Sequence, residues 1–266
     1  MNWKVVPICE AQKRDVSPED LLNGGIFRKC DTYKGGGGYD QFPAICEKRL
    51  GKRLHKQFVV QLYGCPLNCW YCYVTKQGIW GTYKEYTTRE LAKAFVDSKQ
   101  EVFHLMGGAP DIFLSKWNDI ISILPFDSVF HSDFLLLGTQ YTAENLRAIA
   151  KSNCLYAANI KGVTREDYHR NTGIPISMSE IERNLEHLMA AKVNFYLTFT
   201  NPNMNYYDEY ATRLISLFGE KIMADSFIIP IIEYKAIQPT KEDVQFAEEI
   251  QDFREQVLNS TKIKGM

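Results

Sequence analysis

Three of the seven cysteines in this 266-residue chain fall within eight residues, in Tyr63-Gly64-Cys65-Pro66-Leu67-Asn68-Cys69-Trp70-Tyr71-Cys72-Tyr73. The spacing is C-x3-C-x2-C. In a reducing setting, thiols this close on one segment read as metal ligands before they read as disulfides. Three chemistries compete. A structural zinc takes four ligands, usually as two spaced pairs, so a fourth would come from Cys9, Cys30, Cys46 or Cys154. A fully ligated iron–sulfur cluster for electron transfer also takes four. A [4Fe–4S] cluster on Cys65, Cys69 and Cys72 alone would leave one iron open to bind a small molecule and pass it an electron.

The segment needs a frame that presents it. Phe58–Tyr63 is a short β-rich run directly before the first cysteine. Thr87 and Glu90 fit a capping box at a helix start. Glu101–Met106 is the next strand and ends at Gly107-Gly108-Ala109-Pro110. Helical patterning follows over Trp117–Leu124, then an apolar strand over Asp133–Leu137 ending at Gly138-Thr139. Thr142 opens a helix with Leu146, Ile149 and Ala150 on one face. Leu155–Lys161 is a strand.

Ser177 and Glu180 suggest a second capping box, before a stripe of Ile181, Leu185, Leu188 and Met189. Val193–Thr200 is a strand, and Tyr207–Phe218 is a helix with Leu214, Leu217 and Phe218 inward. Phe227–Ile232 is a sixth strand, and a last helix spans about Lys241–Leu258. Six strands alternating with helices predict an α/β fold with a parallel sheet, a partial (β/α)6 TIM-like barrel. The expected domains are an N-terminal extension over 1–57 and the barrel over 58–266. In such folds chemistry gathers at the C-terminal strand ends. The cysteine loop, Gly107-Gly108, Thr139, Lys161, Asn201 and Glu233 all lie there.

With Tyr71 as the aromatic before the last cysteine, the motif resembles that of the radical S-adenosylmethionine (radical SAM) superfamily, C-x3-C-x-aromatic-C. The resemblance implies that Cys65, Cys69 and Cys72 hold a [4Fe–4S] cluster whose open iron chelates S-adenosylmethionine. It further implies reductive cleavage to methionine and a 5′-deoxyadenosyl radical, which abstracts hydrogen from a substrate. The cofactors carry that chemistry, and the protein orients and shields them.

Gly107-Gly108-Ala109-Pro110 resembles the family's Gly-Gly-Glu-Pro-like run that approaches the methionine amine, with Ala109 in place of the Glu. The superfamily resemblance covers roughly residues 58–235, and further along part of the chain also resembles activating enzymes of glycyl-radical proteins. Asn159-Ile160-Lys161 stands for their Asp-x-Lys, followed by His169 and Asn171-Thr172-Gly173. By that match Lys161 faces the cofactor carboxylate, and Thr139-Gln140 stands for Thr-Asn-Gly. The strand to Ile232 borders the adenine, as Tyr71 would. Two acids of those enzymes are replaced here, by Asn159 and Gly138.

The remaining cysteines are scattered and read as buried structural thiols, with a second cluster on Cys9, Cys30 and Cys46 as the alternative. No cysteine follows Cys154, so no C-terminal auxiliary-cluster domain is expected. His104 reads as a satisfied core histidine and His187 as exposed. The Gly35–Gly38 run reads as a mobile loop, since no Lys-Ser/Thr follows to make it a phosphate loop.

A net charge of −1 gives no electrostatic footprint for nucleic acid. The basic run Lys48–Lys56 reads as a solvated approach to the first strand. No apolar run reaches the ~20 residues of a membrane span, and the first residues lack a signal pattern. The expectation is therefore a cytoplasmic radical SAM enzyme acting on a small molecule or peptide, supplied with electrons by a low-potential donor such as flavodoxin or ferredoxin. The alternatives are an activating enzyme that makes a glycyl radical on a partner protein, and a non-catalytic iron–sulfur carrier or regulator. The last predicts a fourth cluster ligand and no cleavage of the cofactor.

Overall fold

The structure is a computed structural model that describes residues 2–11, 16–31 and 41–229. The Gly35–Gly38 run, Ile232, Glu233 and the last expected helix lie outside the described residues. Two compact units divide the chain. The first comprises Met1–Cys65, Tyr73–Asp133 and Lys151–Leu155; the second comprises Pro66–Cys72, Phe134–Ala150 and the chain from Tyr156 onward.

In the first unit, β1 (Asn2–Val5) pairs antiparallel with β5 (Lys84–Thr87). A short α1 (Ile8–Ala11) follows β1. The main strands run β2 (Leu21–Leu22), β3 (Phe27–Asp31), β4 (Lys56–Gln61), β6 (Val102–Met106) and β7 (Val129–Phe134) in spatial order. The first two are antiparallel additions, while β4, β6 and β7 are parallel. The N-terminal segment thus adds two strands to the main sheet, besides β1, and carries α2 (Gln41–Leu50).

Pleat alternation sends Phe58, Phe103 and Phe130 to one face, where their rings pack together and Phe95 of α4 (Thr88–Ser98) joins them. The opposite face carries Gln57, Val59, Gln61, His104 and His131. The expected cap of α4 is present: the Thr87 hydroxyl accepts from the Glu90 N–H, and the Glu90 carboxylate accepts from the Thr87 N–H at 2.7 Å. A short α3 (Lys76–Trp80) and α5 (Leu114–Ile121) complete this unit.

In the second unit, β8 (Cys154–Ile160, from Tyr156), β9 (Phe195–Thr200) and β10 (Phe227–Ile229) are parallel. The helices are α6 (Ala143–Ile149), α7 (Arg165–Thr172), α8 (Met178–Ala190) and α9 (Met204–Phe218). Three parallel strands in each unit, separated along the chain by helices, make this the expected α/β class.

Three local expectations are corrected. The strand expected at Asp133–Leu137 is β7, four residues earlier. Leu135–Leu137 are buried but lie in the loop after it, where Leu136 takes φ 63°. Apolarity there marks a packed loop, and the strand itself carries His131, Ser132 and Asp133. Ser177 precedes α8 but makes no side-chain cap; its hydroxyl pairs with that of Ser179, and the Glu180 carboxylate leaves to accept from the Gly138 N–H. Met189 and Leu217, expected inward, are exposed, while Leu214 is fully buried. Among the described residues no helix is long and apolar enough to cross a membrane.

Candidate functional site

In the first unit, the chain leaves β4 through Leu62-Tyr63-Gly64 into Cys65. Leu62 N–H donates to the Met106 carbonyl (3.0 Å), and Ala109 N–H donates to the Gly64 carbonyl (2.8 Å). These bonds clamp the start of the cysteine loop to the end of β6. Gly107 and Gly108 both have positive φ, 69° and 55°. A Cβ on Gly108 would stand 2.4 Å from the Gly64 carbonyl oxygen and 2.6 Å from that of Leu62. The Gly-Gly pair is therefore what lets this loop start pack against the β6 end. Gln61 lies beneath Gly107, and its Oε1 is buried with no hydrogen-bond partner.

In the second unit, Asn68 N–H donates to the Thr172 carbonyl at 2.8 Å, and Cys72 N–H to the Cys69 carbonyl at 3.0 Å. Asn68 also packs on Gly173, where φ is 71°. Tyr71 is half-buried overall, but its hydroxyl is buried with no nitrogen or oxygen partner. Burial pushes its phenol well above the ordinary range, and the neighbouring Cys69, Tyr168 and Cys72 push the same way. The Lys161 ammonium lies 5.9 Å from the centre of the Tyr71 ring, within cation–π range.

The ends of β8 and β9 are stitched by polar side chains. Asn159 Oδ1 accepts from the hydroxyls of Thr198 (2.8 Å) and Thr200 (3.1 Å). Asn171 Nδ2 donates to the carbonyls of Lys161 (2.8 Å) and Asn201 (2.9 Å), and Asn201 Nδ2 donates back to Asn171 Oδ1 (3.0 Å). Asn201 takes φ 49° to do so. Asp167, which sequence reasoning missed, is buried; its carboxylate accepts from Val163 N–H (3.0 Å) and Asn203 N–H (2.9 Å) and pairs with Arg170. Its only sequence signal is its place one turn into a helix after the Lys161 strand end. Thr139 and Gln140 follow Gly138; Gln140 Nε2 donates to Leu137 O (2.8 Å), while its Oε1 is buried without a partner. His169 is exposed.

Cys65 is buried and Cys69 and Cys72 are half-buried, none in a disulfide. The loop holding them is irregular and ends at the Thr75 cap of α3. Three thiols on one loop fit the ligand set of an iron–sulfur cluster, and in the second unit Cys69 and Cys72 neighbour a buried phenol that has no nitrogen or oxygen partner. Of the other cysteines, Cys46 and Cys154 are buried, Cys30 is half-buried and Cys9 is exposed. Burial pushes the Cys46 thiol up to about 12, and burial also raises that of Cys30.

The model of the Radical SAM superfamily matches residues 59–214, more than half of the chain. The chain belongs to the Radical SAM superfamily. The match to this enzyme superfamily begins within β4 and contains the cysteine loop, Gly107-Gly108, Thr139 and Asn159-Ile160-Lys161. Among curated proteins, none matches the sequence.

Solved structures that resemble this superfamily member include a hexahistidine-tagged anSMEcpe with bound AdoMet, at 18% identity and TM-score 0.43, covering 74% of this chain and 57% of that one. Native anSMEcpe with bound AdoMet gives 18% and 0.46, covering 71% and 57%. Native anSMEcpe with bound AdoMet and Cp18Cys peptide gives 19% and 0.45, covering 74% and 59%. The chain thus spans less than two thirds of the length of those chains.

Proposed function

We propose that this chain is a radical SAM enzyme that abstracts hydrogen from a small-molecule or peptide substrate, with residues 58–266 as the catalytic domain and 1–57 as its extension. The observation that carries this reading is the C-x3-C-x2-C loop directly after β4, inside the superfamily match. Cys65, Cys69 and Cys72 are assigned as the thiolate ligands of a [4Fe–4S] cluster. When bound, that cluster supplies the electron that breaks the sulfonium C–S bond of S-adenosylmethionine.

The chain's own residues bind and orient. Lys161 offers its ammonium to the cofactor carboxylate, and the Tyr71 ring gives the adenine a flat wall. Gly107 and Gly108 hold the loop start and present backbone toward the amine. Thr139, Asn159 and, outside the described residues, Ile232 complete the proposed cofactor contacts. Electrons come from a low-potential carrier such as flavodoxin or ferredoxin.

The glycyl-radical activating reading ranks second. Asn159, where those enzymes have an acid, is engaged by two threonine hydroxyls. At Gly138 a carboxylate does arrive, from Glu180 at 2.8 Å.

The test is spectroscopic. The anaerobically loaded chain should hold about four irons, and the electron paramagnetic resonance signal of its reduced cluster should change when S-adenosylmethionine is added. An unchanged signal would support the electron-carrier reading instead.

A further inference from the structure

In the first unit, three metal-capable side chains, none of them a cysteine, meet on the sheet face opposite the Phe58–Phe103–Phe130 layer. His104 of β6 is directly across from His131 of β7, and Asp133 follows His131 by two residues on the same face. One ligand atom from each lies within 4.8 Å of the other two. The His104–His131 ring centres are 4.4 Å apart, and His104 Nε2 is 3.9 Å from Asp133 Oδ2. We propose that His104, His131 and Asp133 form a binding site for a divalent transition-metal ion of the zinc class.

The hydrogen bonds set both imidazoles for this role. His131 Nδ1 is 2.7 Å from the Leu155 carbonyl oxygen, which only accepts, so Nδ1 carries the proton and Nε2 the lone pair. His104 Nδ1 is 2.6 Å from Gln57 Oε1, which imposes the same tautomer. Orientation of a ligating histidine by an oxygen acceptor on its other nitrogen is the usual support for a metal ligand.

The second observation is an orphan. His104 is 5% exposed, and its Nε2 is buried without a hydrogen-bond partner. A buried lone pair left this way costs free energy unless something occupies it. Gln57 holds its oxygen toward the ring, so the orphan is held in place. The Phe42 ring of α2, 4.5 Å from that of His131, walls the pair with apolar surface. The Asp133 side chain, 23% exposed, gives the triad access to solvent.

Two imidazoles and one carboxylate are the ligand set of open zinc or ferrous sites, in which solvent completes the coordination. Ligand atoms that span up to 4.8 Å close around the ion by side-chain rotation. The site uses no cysteine and does not depend on the reading of the Cys65–Cys72 loop.

Cobalt(II) titration of the full, cluster-loaded chain tests the proposal. One further cobalt ion should bind, with visible ligand-field bands and no thiolate-to-cobalt charge transfer. Asp133→Asn and His104→Gln should each weaken that binding by at least about 10- to 100-fold, the range that losing even the hydrogen-bonded support of a ligand costs. Zinc should raise the melting temperature of the wild-type chain and fail to raise that of Asp133→Asn. Should His104→Gln fail to fold, Asp133→Asn alone decides. Equal cobalt affinity in wild type and Asp133→Asn, or bands that carry thiolate-to-cobalt charge transfer, would overturn the assignment.

Discussion

The Lys161 ammonium stands over the Tyr71 ring, 5.9 Å from its centre, so the fourth strand end of the family pattern is brought to the aromatic of the cysteine motif within one unit. If Lys161 binds the cofactor carboxylate, Lys161→Met should weaken S-adenosylmethionine binding about tenfold, roughly the worth of one charge-assisted hydrogen bond. Tyr71→Phe keeps the ring and removes a buried hydroxyl that lacks a nitrogen or oxygen partner, so it should bind the cofactor as the wild type does. Equilibrium dialysis with the loaded protein measures both.

Asp167 ties the loop after β8 to the loop after β9 through the N–H groups of Val163 and Asn203. Asp167→Ala leaves two donors unpaired and Arg170 without its carboxylate partner. It should cost about 3 kcal/mol in urea unfolding. A cost under about 1 kcal/mol would show that these bonds do not hold the strand ends.

Gly108 has φ 55° and no room for a Cβ beside the Gly64 and Leu62 carbonyls. Gly108→Ala should cost about 2–4 kcal/mol from backbone strain and backbone displacement together. Because the displaced segment leads into Cys65, iron content per chain should fall as well. Full iron loading at unchanged stability would contradict the clamp.

These residues show what the sequence made legible. Thr87 and Glu90 sit three apart before an amphipathic run, and local chemistry alone forms their cap. The cysteine loop, Gly107-Gly108 and Lys161 were marked by their places after strands. Non-local partners were not marked. Glu180 looked like one half of a cap, yet it reaches Gly138, forty-two positions away. Asp167 reads as an ordinary first-turn acid until the fold brings Asn203 to it. The β7 boundary was misplaced because Leu135–Leu137 is more apolar than the strand, and this hid the alignment of His131 with His104. His104 itself, read as satisfied, is satisfied only at Nδ1.

The cysteines outside the loop should separate by reactivity. Burial raises the Cys46 thiol to about 12, so only about 10⁻⁴ of it is thiolate at pH 8. In the native chain, iodoacetamide at pH 8 should label exposed Cys9 while Cys46 stays unmodified. Since the shift is upward, Cys46 labelling should rise only as the pH climbs toward 12 or the chain unfolds. Peptide mass spectrometry reads this directly, and prompt Cys46 labelling at pH 8 would contradict the burial.

The central claim is that the three-cysteine loop supports reductive cleavage of S-adenosylmethionine. The direct measurement is 5′-deoxyadenosine formed by the anaerobically loaded chain with S-adenosylmethionine and dithionite. The account predicts 5′-deoxyadenosine from the wild type and none from Cys69→Ala, which should also lose the iron–sulfur absorbance near ~400 nm as a thiolate ligand goes. A fully loaded wild-type chain that yields no 5′-deoxyadenosine would contradict it.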